Sequence, residues 1–305
     1  MKKFTKFLAA GLALTLVFGL TACGGGSDAT PTPSAEKTPE VVATPEAGSD
    51  AEATPEATSE GKTNQVDEIK AAGKLVMGTE AGFPPFEFLV LKDGKEEIKG
   101  LDVSIMQAVA DKLGVELEIQ NLDFDALIPE MQSGKVDVIA AGFSIDEERA
   151  KVVDFSDPYA EVTQKVVIRK EDLETYTSID SLKGKQVGGQ KGSVQEDVVT
   201  DVMPESELLA LGKVGGLVLE LKTGRIEALV LESVIAESYV KANPELAIAE
   251  IELPTPVEEY AVAVPKNSDL LDVVNEVLAE LKESGELDQM NVEASALFDS
   301  TQSDE

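Results

Sequence analysis

The chain contains no histidine and a single cysteine, Cys23, and it is poor in basic side chains. Its 26 Lys and Arg stand against 58 Asp and Glu, a formal net charge of -32. Without histidine, every nucleophile–histidine catalytic pair is excluded. With one thiol, a disulfide within the chain is excluded, and a metal site of nitrogen and sulfur ligands lacks its donors. No metal and no cofactor are implied. The acidic excess repels a phosphate backbone, so nucleic acid is not an expected partner, and the same charge keeps an exported protein soluble. Carboxylate chemistry, with or without a hard cation, survives these exclusions.

What is present begins with an export signal. Lys2, Lys3 and Lys6 precede an apolar run from Phe7 to Leu20. That run is shorter than the about 20 residues a membrane-crossing helix needs, and it suits the core of a signal peptide. It ends at Leu20-Thr21-Ala22-Cys23, which resembles the lipobox of bacterial lipoproteins. The resemblance implies cleavage of residues 1–22, lipid on the Cys23 thiol (palmitate among the acyl chains), and anchoring at the outer face of the cell membrane without a spanning helix. Residues 23–64 are rich in Pro, Thr, Glu and Ala, and Thr-Pro-Glu begins at Thr38, Thr44 and Thr54. So little apolar surface reads as a disordered tether.

From about Gln65 the pattern turns globular, and strand-like segments alternate with helix-like ones. Lys74 to Thr79 reads as a buried strand. Leu101, Ile105, Val109 and Leu113 form one helical stripe, closed by Gly114. Val115 to Gln120 alternates as a strand, Asp125 is placed to cap the next helix, Gly134 to end it, and Val136 to Ala140 is an apolar strand. Strands separated by helices predict parallel βαβ units.

An internal repeat organises this pattern. LIPEMQSGKVDVIAAG (Leu127 to Gly142) matches LVLELKTGRIEALVLE (Leu217 to Glu232) at constant offset, with Glu130 on Glu220, Gly134 on Gly224, and Lys135-Val136-Asp137 on Arg225-Ile226-Glu227. Each copy reads as helix, glycine stop and strand. Ala160 to Lys170 and Glu258 to Lys266 read as two crossover strands between the copies. The expected architecture is α/β: two Rossmann-like lobes joined by a two-strand hinge, with a ligand cleft between them. Lobe 1 is expected over residues 65–160 and is completed by 258–298. The hinge strand and lobe 2 span 161–257, a helix over Asp269 to Leu281 returns to lobe 1, and 299–305 forms an acidic disordered tail. Ligands bind such sheets beyond the carboxyl ends of their strands. The candidate positions are therefore Glu80 to Phe83, Gly142 to Arg149, Gln190 to Gln195, and Glu232.

Those segments resemble a known family. GTEAGFPPFEF (Gly78 to Phe88), GLDVSIMQAVADKLG (Gly100 to Gly114), DFDALIPEMQSGKVDVIAAGFSIDEERAKVVDFSDPYA (Asp123 to Ala160) and LKGKQVGGQKGSVQE (Leu182 to Glu196) are similar to the polar amino-acid-binding proteins of ABC importers. The resemblance implies a type 2 periplasmic binding protein that closes on an amino acid and docks, as a monomer, on an ABC permease. It implies that Arg149 forks onto the ligand α-carboxylate, a geometry suited to a guanidinium. Gly142 and Ser144 then give backbone and hydroxyl contacts, and the Ser193 N–H meets the same carboxylate. Glu232 stands where the family carries Asp for the α-ammonium, and Val194 replaces a Thr. Lys191 beside this loop adds positive charge. Phe83 and Phe124 match aromatic positions around the ligand side chain, and Glu80 stands where binders of basic amino acids carry an acid. The alternatives are an enzyme on the same fold, dehydratase-like and working by carboxylates, and a receptor serving a membrane sensor.

Overall fold

The computed structural model describes residues 63–92 and 94–302, all within one compact unit. The signal segment, Cys23 and most of the expected tether lie outside the described residues. Thr63 corrects the tether's upper bound. Its N–H donates to Asn267 O at 2.8 Å, and it bridges Ser268 in parallel, so the backbone has already joined the fold.

Among the described residues there are two five-stranded sheets. The first runs in the order β5 (Glu116–Asn121), β1 (Lys74–Thr79), β6 (Val138–Ile139), β15 (Ala263–Pro265) and β7 (Val153–Phe155). The second runs β11 (Glu207–Leu211), β10 (Gln186–Gln190), β12 (Ala228–Glu232), β9 (Gln164–Arg169) and β13 (Leu246–Ile248). Both follow one rule. The second strand in the order pairs in parallel with its two neighbours, and the fourth enters antiparallel to both of its own. Between the sheets, β8 (Ala160–Val162) pairs antiparallel with β14 (Glu258–Tyr260). The chain leaves the first lobe through β8 into β9 and returns through β14 into β15, which is the two-strand hinge read from the sequence. A small antiparallel sheet of β2 (Gly82–Phe83), β3 (Glu87–Lys92) and β4 (Lys95–Lys99) flanks lobe 1.

Helices cover both faces: α1 (Gln65–Ala72), α2 (Leu101–Leu113), α3 (Leu127–Gln132), α7 (Leu270–Ser284) and α8 (Glu286–Thr301) in lobe 1, and α4 (Val194–Asp197), α5 (Val214–Lys222) and α6 (Ser233–Ala242) in lobe 2. Leu101, Ile105, Val109 and Leu113 are all buried on α2, against which α7 packs. No helix among the described residues is long and apolar enough to cross a membrane. Two expectations are corrected. Asp299 to Thr301 are not tail but the last turn of α8, where Asp299 pairs with Lys241 at 2.5 Å. Asp125 is not a cap: it sits inside a 3-10 turn, Phe124–Ala126, that runs into α3, and its carboxylate turns outward to Lys191.

The repeat survives as geometry. Gly134 and Gly224 follow α3 and α5 with φ of +76° and +73°, a left-handed turn that side chains with a Cβ resist. Lys135 N donates to Glu130 O at 3.0 Å, and Arg225 N to Glu220 O at 2.9 Å. The next acid repeats its task. Asp137 Oδ2 accepts from Val76 N at 2.8 Å, and Glu227 Oε2 from Gln186 N at 2.9 Å, tying each crossover to a central strand. Replacing Asp137 by Ala strands the Val76 N–H, so urea denaturation should show a loss of about 1–2 kcal/mol. An unchanged midpoint would mean that water replaces the carboxylate without cost.

Candidate ligand-binding site

The centre of the cleft is a buried cation. Arg149 lies in the 3-10 turn Arg149–Lys151 and is only 9% exposed. Its Nη1 donates to Ser144 O at 2.9 Å within lobe 1, and its Nη2 crosses to Gly192 O of lobe 2 at 3.1 Å. The guanidinium stands 4.3 Å over the Phe143 ring and 5.3 Å from the Phe124 ring. Ring faces and carbonyl dipoles favour a cation, while burial pulls the Arg149 pKa down from its ordinary value. A guanidinium has more N–H donors than these two bonds use.

Glu232 and Glu258 lie near it, and further buried carboxylates lie along the lobe interface and behind the site. Glu232 ends β12 and is 2% exposed, and its carboxylate faces the Tyr260 hydroxyl and Gln195. Burial, and next the charge of Glu258, push its pKa up to about 7. Glu80 follows β1 and is 3% exposed; its Oε2 accepts from Gln190 Nε2 at 3.2 Å and Val214 N at 3.4 Å, both in lobe 2. Burial likewise raises Glu80 to about 7, despite those bonds. Behind the site, Asp102 Oδ2 holds Gly142 N at 2.9 Å and Tyr159 Oη at 2.8 Å, and burial raises that acid to about 6.

The remaining sequence candidates fall into two groups. Gly142, Ser144, Phe124 and Phe83 gather around Arg149 and Tyr260. Gly142 has φ +52°, and a Cβ there would lie 2.4 Å from the Phe83 ring, so only glycine allows this approach. Ser144 Oγ is committed to Glu258 Oε2 at 3.0 Å. The second group is occupied elsewhere. The Ser193 N–H donates to Gln190 O at 3.2 Å, while its hydroxyl donates to the same oxygen and accepts from Gln195 N. Val194 is half-buried against the apolar core of lobe 2. Lys191 is exposed and pairs with Asp125 Oδ2 at 2.7 Å, so its charge holds the lobes together.

Sequence reading missed how the lobes meet. Phe124 N donates to Gly212 O at 3.0 Å, Lys213 Nζ lies 3.8 Å from Asp123 Oδ1, and Tyr239 Oη donates to Gly82 O at 2.6 Å. It also missed Gln164, Glu258 and Tyr260, and it gave Gln190 and Gln195, which bound a candidate segment, no role. No local motif marks them, although Glu258 and Tyr260 fall in the strand read as a crossover.

Two lobes on a two-strand hinge, with a buried cation and buried acids where the lobes meet, define a protein that encloses a small charged solute. Comparison with known proteins agrees. Residues 75–293 match the family model of bacterial extracellular solute-binding proteins, family 3, and the chain belongs to that family. It is 37% identical over 222 residues to the arginine-binding extracellular protein ArtP of Bacillus subtilis, covering 71% of this chain and 84% of that one. An amino acid ABC transporter substrate-binding protein, AbpA, from Streptococcus pneumoniae, solved bound to L-arginine, superposes with a TM-score of 0.74 at 41% identity over 76% of this chain and 98% of that one. The arginine-bound form of truncated ArgBP from T. maritima gives 0.65 at 41% identity, over 70% and 99%.

The buried acids make stability depend on pH. Glu80 and Glu232 titrate near 7 when folded and near 4.3 when unfolded, so the folded chain holds these protons more tightly. Their contribution is fully present below about pH 4.3 and is lost as pH rises through about 7. Thermal unfolding without added ligand should therefore show a melting temperature that falls between pH 5 and 8, and Glu232→Gln should flatten that slope. A slope unaltered in the variant would contradict the burial of an ionisable Glu232.

Proposed function

We propose that this protein captures a cationic amino acid, L-arginine first among them, and delivers it to an ABC importer. The observation that carries the reading is the placing of three buried charges where the lobes meet: Arg149, Glu232 and Glu80. A zwitterion needs a cation for its carboxylate and an anion for its ammonium, and Arg149 and Glu232 offer both. A further carboxylate, Glu80, then fits a ligand whose side chain is positive. Buried ions are tolerated only when paired, so a ligand of complementary charge offsets desolvation that the site bears by itself. The arginine named in ArtP, AbpA and ArgBP supports the same assignment. Arg149 and Gly192 O join the lobes directly, so closure and ligand grip act at one place.

The family places this capture outside the cytoplasm. Lipid on Cys23 anchors the chain to the membrane's outer face, and the chain works as a monomer. Cys23→Ala should abolish incorporation of labelled palmitate into the chain; unchanged labelling would place the lipid on another residue.

Arginine at about a hundred times its dissociation constant should add about 2.7 kcal/mol, read as a clear rise in melting temperature. The cation binds ionised carboxylates, so binding expels protons from Glu80 and Glu232. Affinity should therefore fall as pH drops from 8 to 6, and Glu80→Gln should weaken arginine more than glutamine. No shift with any α-amino acid would overturn the assignment. Equal losses for arginine and glutamine would remove Glu80 from the side-chain subsite.

A further inference from the structure

Glu258 lies on the hinge strand β14, where burial alternates, so that Glu258 and Tyr260 share the buried face. Its carboxylate touches both lobes. Oε2 accepts from Ser144 Oγ at 3.0 Å, and Oε1 from Gln164 Nε2 at 2.7 Å. Gln164 in turn accepts from Gln195 Nε2 at 3.2 Å. Gln164 is also the register partner of Glu232 across β9 and β12, which brings the two acids to one edge of the cleft. Beside them, buried Glu232 and the Tyr260 hydroxyl face one another, and neither Glu232 Oε2 nor Tyr260 Oη makes another close hydrogen bond.

Two buried carboxylates near one another repel, and a cation between them relieves the repulsion. A hydroxyl that faces a carboxylate points its proton there, so the remaining lone pairs of Glu232 and of Tyr260 Oη are acceptors available to such a cation. Ser144 adds a third acceptor, because its hydroxyl proton already goes to Glu258 and leaves only lone pairs for a ligand. Arg149, fixed by the carbonyl of the same Ser144, stands ready for the ligand's negative group. We propose that Glu258 is the second carboxylate of the α-ammonium subsite, acting with Glu232 and turning Ser144 into an acceptor for the ammonium. This rests on the amino-acid reading above and deepens it. It also answers the exchange of Asp for Glu at position 232: the ammonium is held from lobe 2 and from the hinge together, so its grip follows hinge rotation.

The test compares L-arginine with 5-guanidinopentanoate, which is arginine without its α-ammonium, by calorimetric titration of the full chain and of Glu258→Gln. The variant should lower arginine affinity by about tenfold to a hundredfold, the range of a charge-assisted hydrogen bond. The des-amino ligand should change by less than about twofold. Ser144→Ala buries no new charge and should show the same selective loss, which keeps the test valid if Glu258→Gln unfolds. Equal losses for both ligands would make Glu258 merely structural and overturn the proposal, as would an unaltered arginine affinity. A full chain that binds neither amino acid would sink the amino-acid reading itself, an outcome distinct from either of these.

Discussion

The burial of one guanidinium governs the rest of the cleft. A charge taken out of water costs several kcal/mol unless its surroundings replace the lost solvation. Arg149 achieves this with two carbonyls and two phenylalanine faces, and one of those carbonyls, Gly192 O, belongs to the other lobe. The cation's solvation is therefore completed only when the lobes meet. Its direct partners are dipoles and rings, so its charge stays available to an incoming carboxylate. The acids Glu232 and Glu258 lie near it without neutralising it, Glu80 lies elsewhere where the lobes meet, and burial raises the pKa of all three.

Fold and function meet at the hinge. Because β8 and β14 are the only paired strands between the two five-stranded sheets among the described residues, relative motion of the lobes bends that ribbon. Glu258 and Tyr260 belong to it, so groups facing the cleft move with the ribbon and not only with the lobes. The outer rim is handled separately. Lys191 with Asp125, and Lys213 with Asp123, are exposed ion pairs, weak in water and weakened further by salt. They add direction to closure without making it irreversible.

Much of this was legible in the sequence because it was local. The glycine stop and acid of each repeat, the α2 stripe, and the two crossover segments depend on residues near in the chain, and the structure reproduces each. The ends of the predicted strands gave Arg149, Glu232 and Glu80 as candidates, resemblance to a family gave them roles, and all three are buried. What escaped was set by closure. Asp125 looked like a helix cap until the lobes placed Lys191 beside it. Ser144 was read as a hydroxyl contact of unstated direction until Glu258, far along the chain, took its proton. Gln190 opened a candidate segment without a role, and only the approach of β10 to Glu80 gives it one. Partners this distant are fixed by how two lobes meet, which no short pattern records.

The most direct measurement is a crystal structure of the chain with L-arginine. The buried charges predict the ligand carboxylate on Arg149 at about 3 Å, its α-ammonium against Glu232, and its guanidinium on Glu80. Arginine bound in the reverse sense, or lodged outside the cleft with Arg149 still tied only to Ser144 and Gly192, would contradict it.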